Sequence, residues 1–224
     1  QPFWMAIMLA SMIGQIGLPG GGFGFGYSAT NHIGGQFTIL PGAAFPQAKN
    51  EIENFIPVAR ISDLLLKPNE NFNFDGKKYK YPDTKIVYWA GGNPFHHHQD
   101  LNRLIKAWEK PDTIICNEWC WNTLAKRSDI VLPCTTPLER KDIMMTPRDP
   151  YVVSMSKLVD PYGQARNDYE IFTGIAKKMG VEKKFTESRN QEEWQEWIYN
   201  QTFDRASAAN IKIPTYKKFR EDGW

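Results

Sequence analysis

Between Lys85 and Pro133, short apolar runs alternate with helical patterns, and this alternation constrains the fold more than any other feature of the 224-residue chain. Ile86 to Ala90 is a continuous apolar run that reads as a buried strand, broken by Gly91-Gly92-Asn93-Pro94. Leu101, Leu104, Ile105 and Trp108 follow at i, i+3, i+4 and i+7, the spacing of a helix with one buried side. Thr113 to Cys116 reads as a second short strand, Trp121 to Arg127 as a short helix, and Ile130 to Leu132 as a third strand stopped by Pro133. Strands linked through helices pair in parallel, so the order implies an α/β fold with a doubly wound, mostly parallel sheet and flanking helices.

The flanking sequence is less regular. A helix fits residues 2–15 and runs into Gly17 to Gly26, where six glycines in ten residues exclude any regular element. A second helix fits residues 50–66, with Ile52, Phe55, Ile56, Ile61, Leu64 and Leu65 on its apolar side and a kink at Pro57. Aromatics alternate on either side of Asp75-Gly76 between Phe72 and Tyr81, a small hairpin. Asn167 and Glu170 form a capping box, Ile171, Phe172, Ile175, Ala176 and Met179 the buried stripe behind it, and Gly180 the stop. Asn190 and Glu193 repeat the box before Trp194 and Trp197. The expected organisation is an N-terminal part of helices, glycine-rich loop and hairpin over 1–84, an α/β domain over 85–207 and a peripheral tail over 208–224.

Composition excludes some functions. A net charge of +2 without a basic stripe excludes a general nucleic-acid binder. The apolar run from Phe3 to Ile13 is too short to span a bilayer and lacks the positive lead of a signal peptide, so it reads as a buried helix and the chain as having no membrane span. A chain that opens on Gln1 with so apolar a helix is expected to come from a larger parent, with a processed or trimmed chain as the alternative. Cys116, Cys120 and Cys134 make neither a disulfide framework nor a CxxC pair and read as small apolar residues.

In an open α/β sheet, ligands sit beyond the carboxyl ends of the strands, which here are Gly91 to Asp100, Cys116 to Trp121 and Pro133 to Thr136. Gly91 and Gly92 let backbone approach a ligand closely, and Asn93 offers a donor and an acceptor suited to a ribose hydroxyl or base edge. Spacing alone reads this loop equally as a plain strand-to-helix turn. His96, His97 and His98 cannot point one way, and Asp100 does not complete a metal site. Asp168 suits a helix start, although a carboxylate also recognises guanine. Arg140 and Asp142 suit a fixed ion pair. Spacing favours structure for all three. GxGxxG in a strand-to-helix context, GxxxxGK[ST] and Gx[SC]xG are absent, which excludes the familiar dinucleotide, P-loop and hydrolase signatures.

Tyr88 to Leu104 (YWAGGNPFHHHQDLNRL), Ser128 to Pro133 (SDIVLP), Thr135 to Ile143 (TTPLERKDI) and Ala165 to Phe172 (ARNDYEIF), with Gly14 to Gly24 and Phe55 to Ile61 upstream, are longer segments that occur in this order. Together they resemble the dimethyl sulfoxide / trimethylamine N-oxide / biotin sulfoxide reductase family. The resemblance covers residues 2 to about 202. It implies an internal segment of a molybdopterin oxidoreductase carrying a bis(molybdopterin guanine dinucleotide) molybdenum cofactor. Gly91, Gly92, Asn93, Pro94, His97, His98, Asp100, Cys116, Asn117, Glu118, Pro133 and Asp168 would then hold one guanine-nucleotide arm. It implies no catalytic or metal-binding residue here, because the serine that binds molybdenum belongs to another part of the family's chain, so the segment is expected to be inactive alone.

Trimethylamine N-oxide is the favoured substrate, dimethyl sulfoxide and biotin or methionine sulfoxide the alternatives. The expected partners are the remainder of the parent chain, the small oxide and a cytochrome-type electron donor. The expected compartment is the periplasm, with the cytoplasm as alternative. The sequence departs from the family at Trp121-Asn122-Thr123-Leu124-Ala125, where Trp-Thr-x-Thr-Ala is common, and at Lys141, where asparagine is usual. The rival readings are a nucleotide-binding module without redox chemistry and a nicotinamide-linked dehydrogenase.

Overall fold

The computed structural model describes residues 2–24, 40, 42–47, 49–50, 52, 54–145 and 151–224. Helix α1 (Pro2–Met12) is shorter than expected and, apart from Ala10, is not buried. The expectation of a buried helix is not met among the described residues: a helix apolar all round needs cover on every side, and they cover only the side of Ala10. Beyond it Gly14, Gly17, Gly20 and Gly22 have positive φ, and a Cβ on Gly21 would lie 2.7 Å from the Gln15 carbonyl oxygen. The glycine-rich run's Phe25 and Gly26 lie outside the described residues.

The helix expected over 50–66 is confined to α2 (Ile61–Leu66), after a single 3-10 turn at Val58–Arg60. Pro57, with ψ 137°, sits before that turn rather than within a helix, and its ring disfavours helical backbone at Ile56. Strands β1 (Asn71–Phe74) and β2 (Lys77–Lys80) form the expected antiparallel hairpin. Asp75 and Gly76 have φ of 48° and 72°, as a two-residue type I′ turn requires. Phe72 stacks on Tyr81 with ring centroids 4.3 Å apart.

The sheet that positions the candidate site comprises β3 (Ile86–Ala90), β4 (Thr113–Glu118) and β5 (Ile130–Pro133), parallel and adjacent in chain order. The expected α/β architecture is therefore present. The apolar run of β3 is less buried than expected: it lies at a sheet edge among the described strands, and Ile86 is 61% exposed. Between β3 and β4 stand the short α3 (Pro94–His97) and the amphipathic α4 (Leu101–Trp108). Leu104, Ala107 and Trp108 from α4 bury against Leu65, Ile114 and Cys116, the centre of the core. The Trp121 to Arg127 helix reduces to a 3-10 turn at Ala125–Arg127.

Past β5 the chain continues through β6 (Asp142–Met144) and β7 (Val153–Met155) and then returns to the sheet. Thr135 N–H donates to the Arg166 carbonyl and Arg166 N–H to the Pro133 carbonyl, each at 3.1 Å, so residue 166 extends the parallel pairing beyond β5. Helix α5 (Asp168–Lys178) starts immediately afterwards, with the capping box between Asn167 and Glu170 formed as read. Met179, expected in its buried stripe, is 71% exposed because the helix ends there and Gly180 turns the chain at φ 73°.

Helix α6 (Glu182–Thr186), not foreseen, precedes α7 (Gln191–Ala208), whose Asn190/Glu193 cap is present. The tail carries α8 (Tyr216–Asp222), and Phe219 is 1% exposed, stacked on Tyr199, so this segment is packed rather than peripheral. The chain forms two compact units that do not follow the boundaries read from sequence. One comprises Gln1–Ala43, Ile143–Ser154 and Ile198–Trp224, the other Ala44–Asp142 and Met155–Trp197.

Candidate functional site

The carboxyl ends of β3, β4 and β5 lie side by side in register, Ala90 beside Asn117 and Glu118 beside Pro133. Side chains alternate across a strand, so Cys116 and Asn117 face opposite ways. Cys116 is fully buried in the core, and burial pushes its thiol pKa up. That places its side chain away from the site it was expected to line. Asn117 faces the other side, where its Oδ1 accepts from Tyr88 Oη at 2.7 Å and its Nδ2 donates to Asp168 Oδ1 at 2.7 Å. A buried amide thereby ties a strand residue to the first residue of α5, 51 positions away in sequence. Among the described residues, Asp168 Oδ2 accepts no hydrogen bond.

Asn93 stands three residues beyond Ala90, at the same end of the sheet. Its Oδ1 caps α3 by accepting from Phe95 N–H at 3.0 Å. Its Nδ2 is buried without a hydrogen-bond partner, in a residue only 6% exposed. Gly91 and Gly92 have φ of 78° and 72°, and no atom lies within 4 Å of where a Cβ would project on either. The loop is both strained for any other residue and open in front.

Glu118 is buried yet carboxylate-bearing. Oε1 accepts from Trp119 N–H at 3.0 Å and Oε2 from Asn122 Nδ2 at 2.7 Å. Asn122 also accepts from Ala125 N–H at 3.0 Å, so the amide at this divergent position holds both the turn and Glu118. Burial first, and then the charges of Asp168 and Glu118, raise the Cys134 pKa to about 11. Burial, followed by Asp168, likewise raises Tyr88. The site is therefore acidic, and Cys134 and Tyr88 stay protonated at neutral pH.

Other expected residues divide. Pro94 is buried under the turn, and exposed Pro133 contributes the carbonyl that receives Arg166. Asp100 is exposed at φ 52° and spends Oδ1 on capping α4 through Arg103 N–H, a structural role. His96 and His97 are exposed, while half-buried His98 meets the edge of Trp89 at 6.2 Å. Arg140 donates to Asp142 at 3.0 Å and to the Thr135 carbonyl at 2.9 Å, the ion pair its spacing suggested. Tyr88 and Thr135 were not singled out. Alternation along β3 could have flagged Tyr88, but no sequence signal marks the Thr135 hydroxyl, which is buried without a partner.

A family model described as molybdopterin oxidoreductase matches residues 1–178. The chain belongs to this family. Molybdopterin oxidoreductase relatives include a biotin sulfoxide reductase of Cereibacter sphaeroides, 44% identical over all of this chain and 30% of the relative. A trimethylamine-N-oxide reductase of Haemophilus influenzae is 45% identical over 98% of the chain and 28% of its own length. A dimethyl sulfoxide/trimethylamine N-oxide reductase of Cereibacter sphaeroides is 42% identical over the whole chain and 29% of its own length. The chain thus spans less than a third of these molybdopterin oxidoreductases. Acetylene hydratase from Pelobacter acetylenicus, a solved structure, aligns with 63% of this chain and 18% of its own at 18% identity, TM-score 0.46.

Proposed function

We propose that this chain is the segment of a bis(molybdopterin guanine dinucleotide) molybdenum reductase that grips one guanine-nucleotide arm, in a periplasmic enzyme that deoxygenates trimethylamine N-oxide. The observation that carries the reading is the gathering of Asn93, Asn117 and Asp168 at one end of the parallel sheet. A guanine base presents a ring N–H and an exocyclic amine side by side, and a carboxylate accepts both. Asn117 fixes Oδ1 of Asp168 and leaves Oδ2 open toward such donors among the described residues. Asn93 Nδ2, a buried donor lacking an acceptor, carries a penalty of about 1–3 kcal/mol that a ribose hydroxyl would relieve. Gly91 and Gly92 leave room for a close backbone approach. Of the remaining candidates, His97, His98 and Glu118 border the same sheet end.

In this reading the residues of the chain bind and orient. None is assigned to catalysis or to the metal. The chemistry such a cofactor supplies is oxygen-atom transfer, in which the oxide loses its oxygen and two protons and two electrons convert that oxygen to water. A cytochrome-type protein supplies the electrons. Relatives named for biotin sulfoxide, trimethylamine N-oxide and dimethyl sulfoxide are 44%, 45% and 42% identical, so dimethyl sulfoxide and biotin sulfoxide stay as alternatives within one substrate class.

The test is the cofactor content of the full-length protein. Wild type should release about two guanine nucleotides per molybdenum, one for each arm. Asp168→Ala should lose guanine nucleotide and metal together, while Asp168→Glu retains part of both. A folded Asp168→Ala protein with undiminished guanine content would overturn the assignment of the arm to this site. The isolated segment should bind GDP weakly or not at all, and micromolar affinity by calorimetry would contradict that expectation.

A further inference from the structure

Helix α1 is built inside out. Ala6, Ile7 and Ala10 are the residues turned toward the rest of the described chain, Ala10 buried and the other two half-buried. Trp4, Met5, Met8, Leu9 and Met12 are large, apolar and 50–81% exposed. At 3.6 residues per turn these five occupy an arc of about 140°. A surface helix carries charge on that side, and α1 has no acidic or basic residue in either end turn. Ile13, Ile16 and Leu18 continue the apolar surface past the helix.

We infer that this face is an internal docking surface, covered by the part of the longer polypeptide that lies outside these 224 residues. The inference rests on the reading that this chain is a segment of a reductase of its relatives' length. Three observations select that occupant. The aligned relatives carry 70–72% of their length beyond the region matched here, ample to enclose one helix. The exposed apolar surface runs from the helix on into Ile13, Ile16 and Leu18, so a second copy pairing helix to helix leaves those side chains in water. Among the described residues no helix is long and apolar enough to cross a membrane, and α1 lacks the cationic face that holds a helix at a lipid surface.

Hydroxyl-radical footprinting of the wild-type full-length protein reads this directly, because methionine and tryptophan oxidise according to their exposure. Met5, Met8, Met12 and Trp4 should oxidise at least ~10-fold more slowly in the folded protein than in urea. Tyr79 on the hairpin serves as an internal reference. Oxidation of α1 at the unfolded rate overturns the inference. Protection that disappears on dilution to monomer, or that appears only with vesicles of phosphatidylethanolamine and phosphatidylglycerol, also overturns it, in favour of a second copy or a lipid surface. Guanine content measured on the same sample separates the two readings. Full guanine content with oxidised α1 sinks only the docking surface, whereas protected α1 without guanine sinks only the nucleotide grip.

Discussion

Helices α1 and α4 are both short and both rich in large apolar residues, yet they stand in opposite relation to their surroundings. In α4, Leu104, Ala107 and Trp108 are at most 4% exposed, Lys106 is exposed and Arg103 is half-buried in its ion pair with Asp63. In α1 only Ala10 is buried. An amphipathic period marks a helix that completes its burial within its own unit. An all-round apolar helix marks one whose stability depends on protein elsewhere. The candidate site belongs with the first kind, since strands and helices of a single unit assemble it.

The largest effect that would break this contrast concerns α4. Leu104→Ala should destabilise the full-length protein by about 2–5 kcal/mol in denaturant unfolding, because a fully buried side chain leaves a cavity among Leu65, Ile114 and Cys116. A near-neutral result would mean that the sheet unit does not bury its own core. Next in size is the site. Asn117→Ala removes the acceptor for Tyr88 and the donor for Asp168 and should cost about 1–3 kcal/mol. The proposed grip adds a fall in guanine content for this variant, whereas an amide with a purely structural role predicts the stability loss alone.

Gly91→Ala should cost about 1–2 kcal/mol from the backbone alone, since φ is 78° and no neighbouring atom would clash. Thermal unfolding of that variant measures how much strain the loop holds without a ligand. The smallest effect lies between α2 and α4. The guanidinium of Arg103 hydrogen-bonds Asp63 and holds its pKa below the usual carboxylate value. A depressed folded pKa adds stability that is present above the unfolded value near 4 and lost as pH falls through the folded one. The pair is partly solvent-exposed, so the loss should stay below about 1 kcal/mol. Asp63→Asn should abolish that part of the acid dependence in pH-resolved unfolding.

Local chemistry made much of the fold legible. Asp75-Gly76 specified its hairpin, and the Asn167/Glu170 and Asn190/Glu193 boxes specified two helix starts, because each depends on residues three or fewer positions apart. Burial departs from the local pattern wherever it depends on distant chain. Ile86 reads as interior from its apolar neighbours, yet β3 has no strand beyond it among those described. Phe219 lies in a stretch whose polar composition reads as peripheral, yet Tyr199 stacks on it with centroids 4.5 Å apart. Asp100, a carboxylate in the loop after β3, caps α4 through its Oδ1, a contact its position three residues before Arg103 allows.

By itself, the sequence determined the order of the three strands from Ile86 to Pro133 and of the helix between the first two, their parallel pairing, the turn at Gly91–Gly92 and, through its motifs, the family. Those properties follow from short-range periodicity and backbone preference, which are written residue by residue. Only the tertiary structure decided that Asn117 points to Asp168 while Cys116 points to the core, and that Asn93 keeps a buried amide hydrogen without an acceptor. Such facts depend on which side chains meet after a long return of the chain, here brought about by Arg166 pairing beside Pro133 and Thr135.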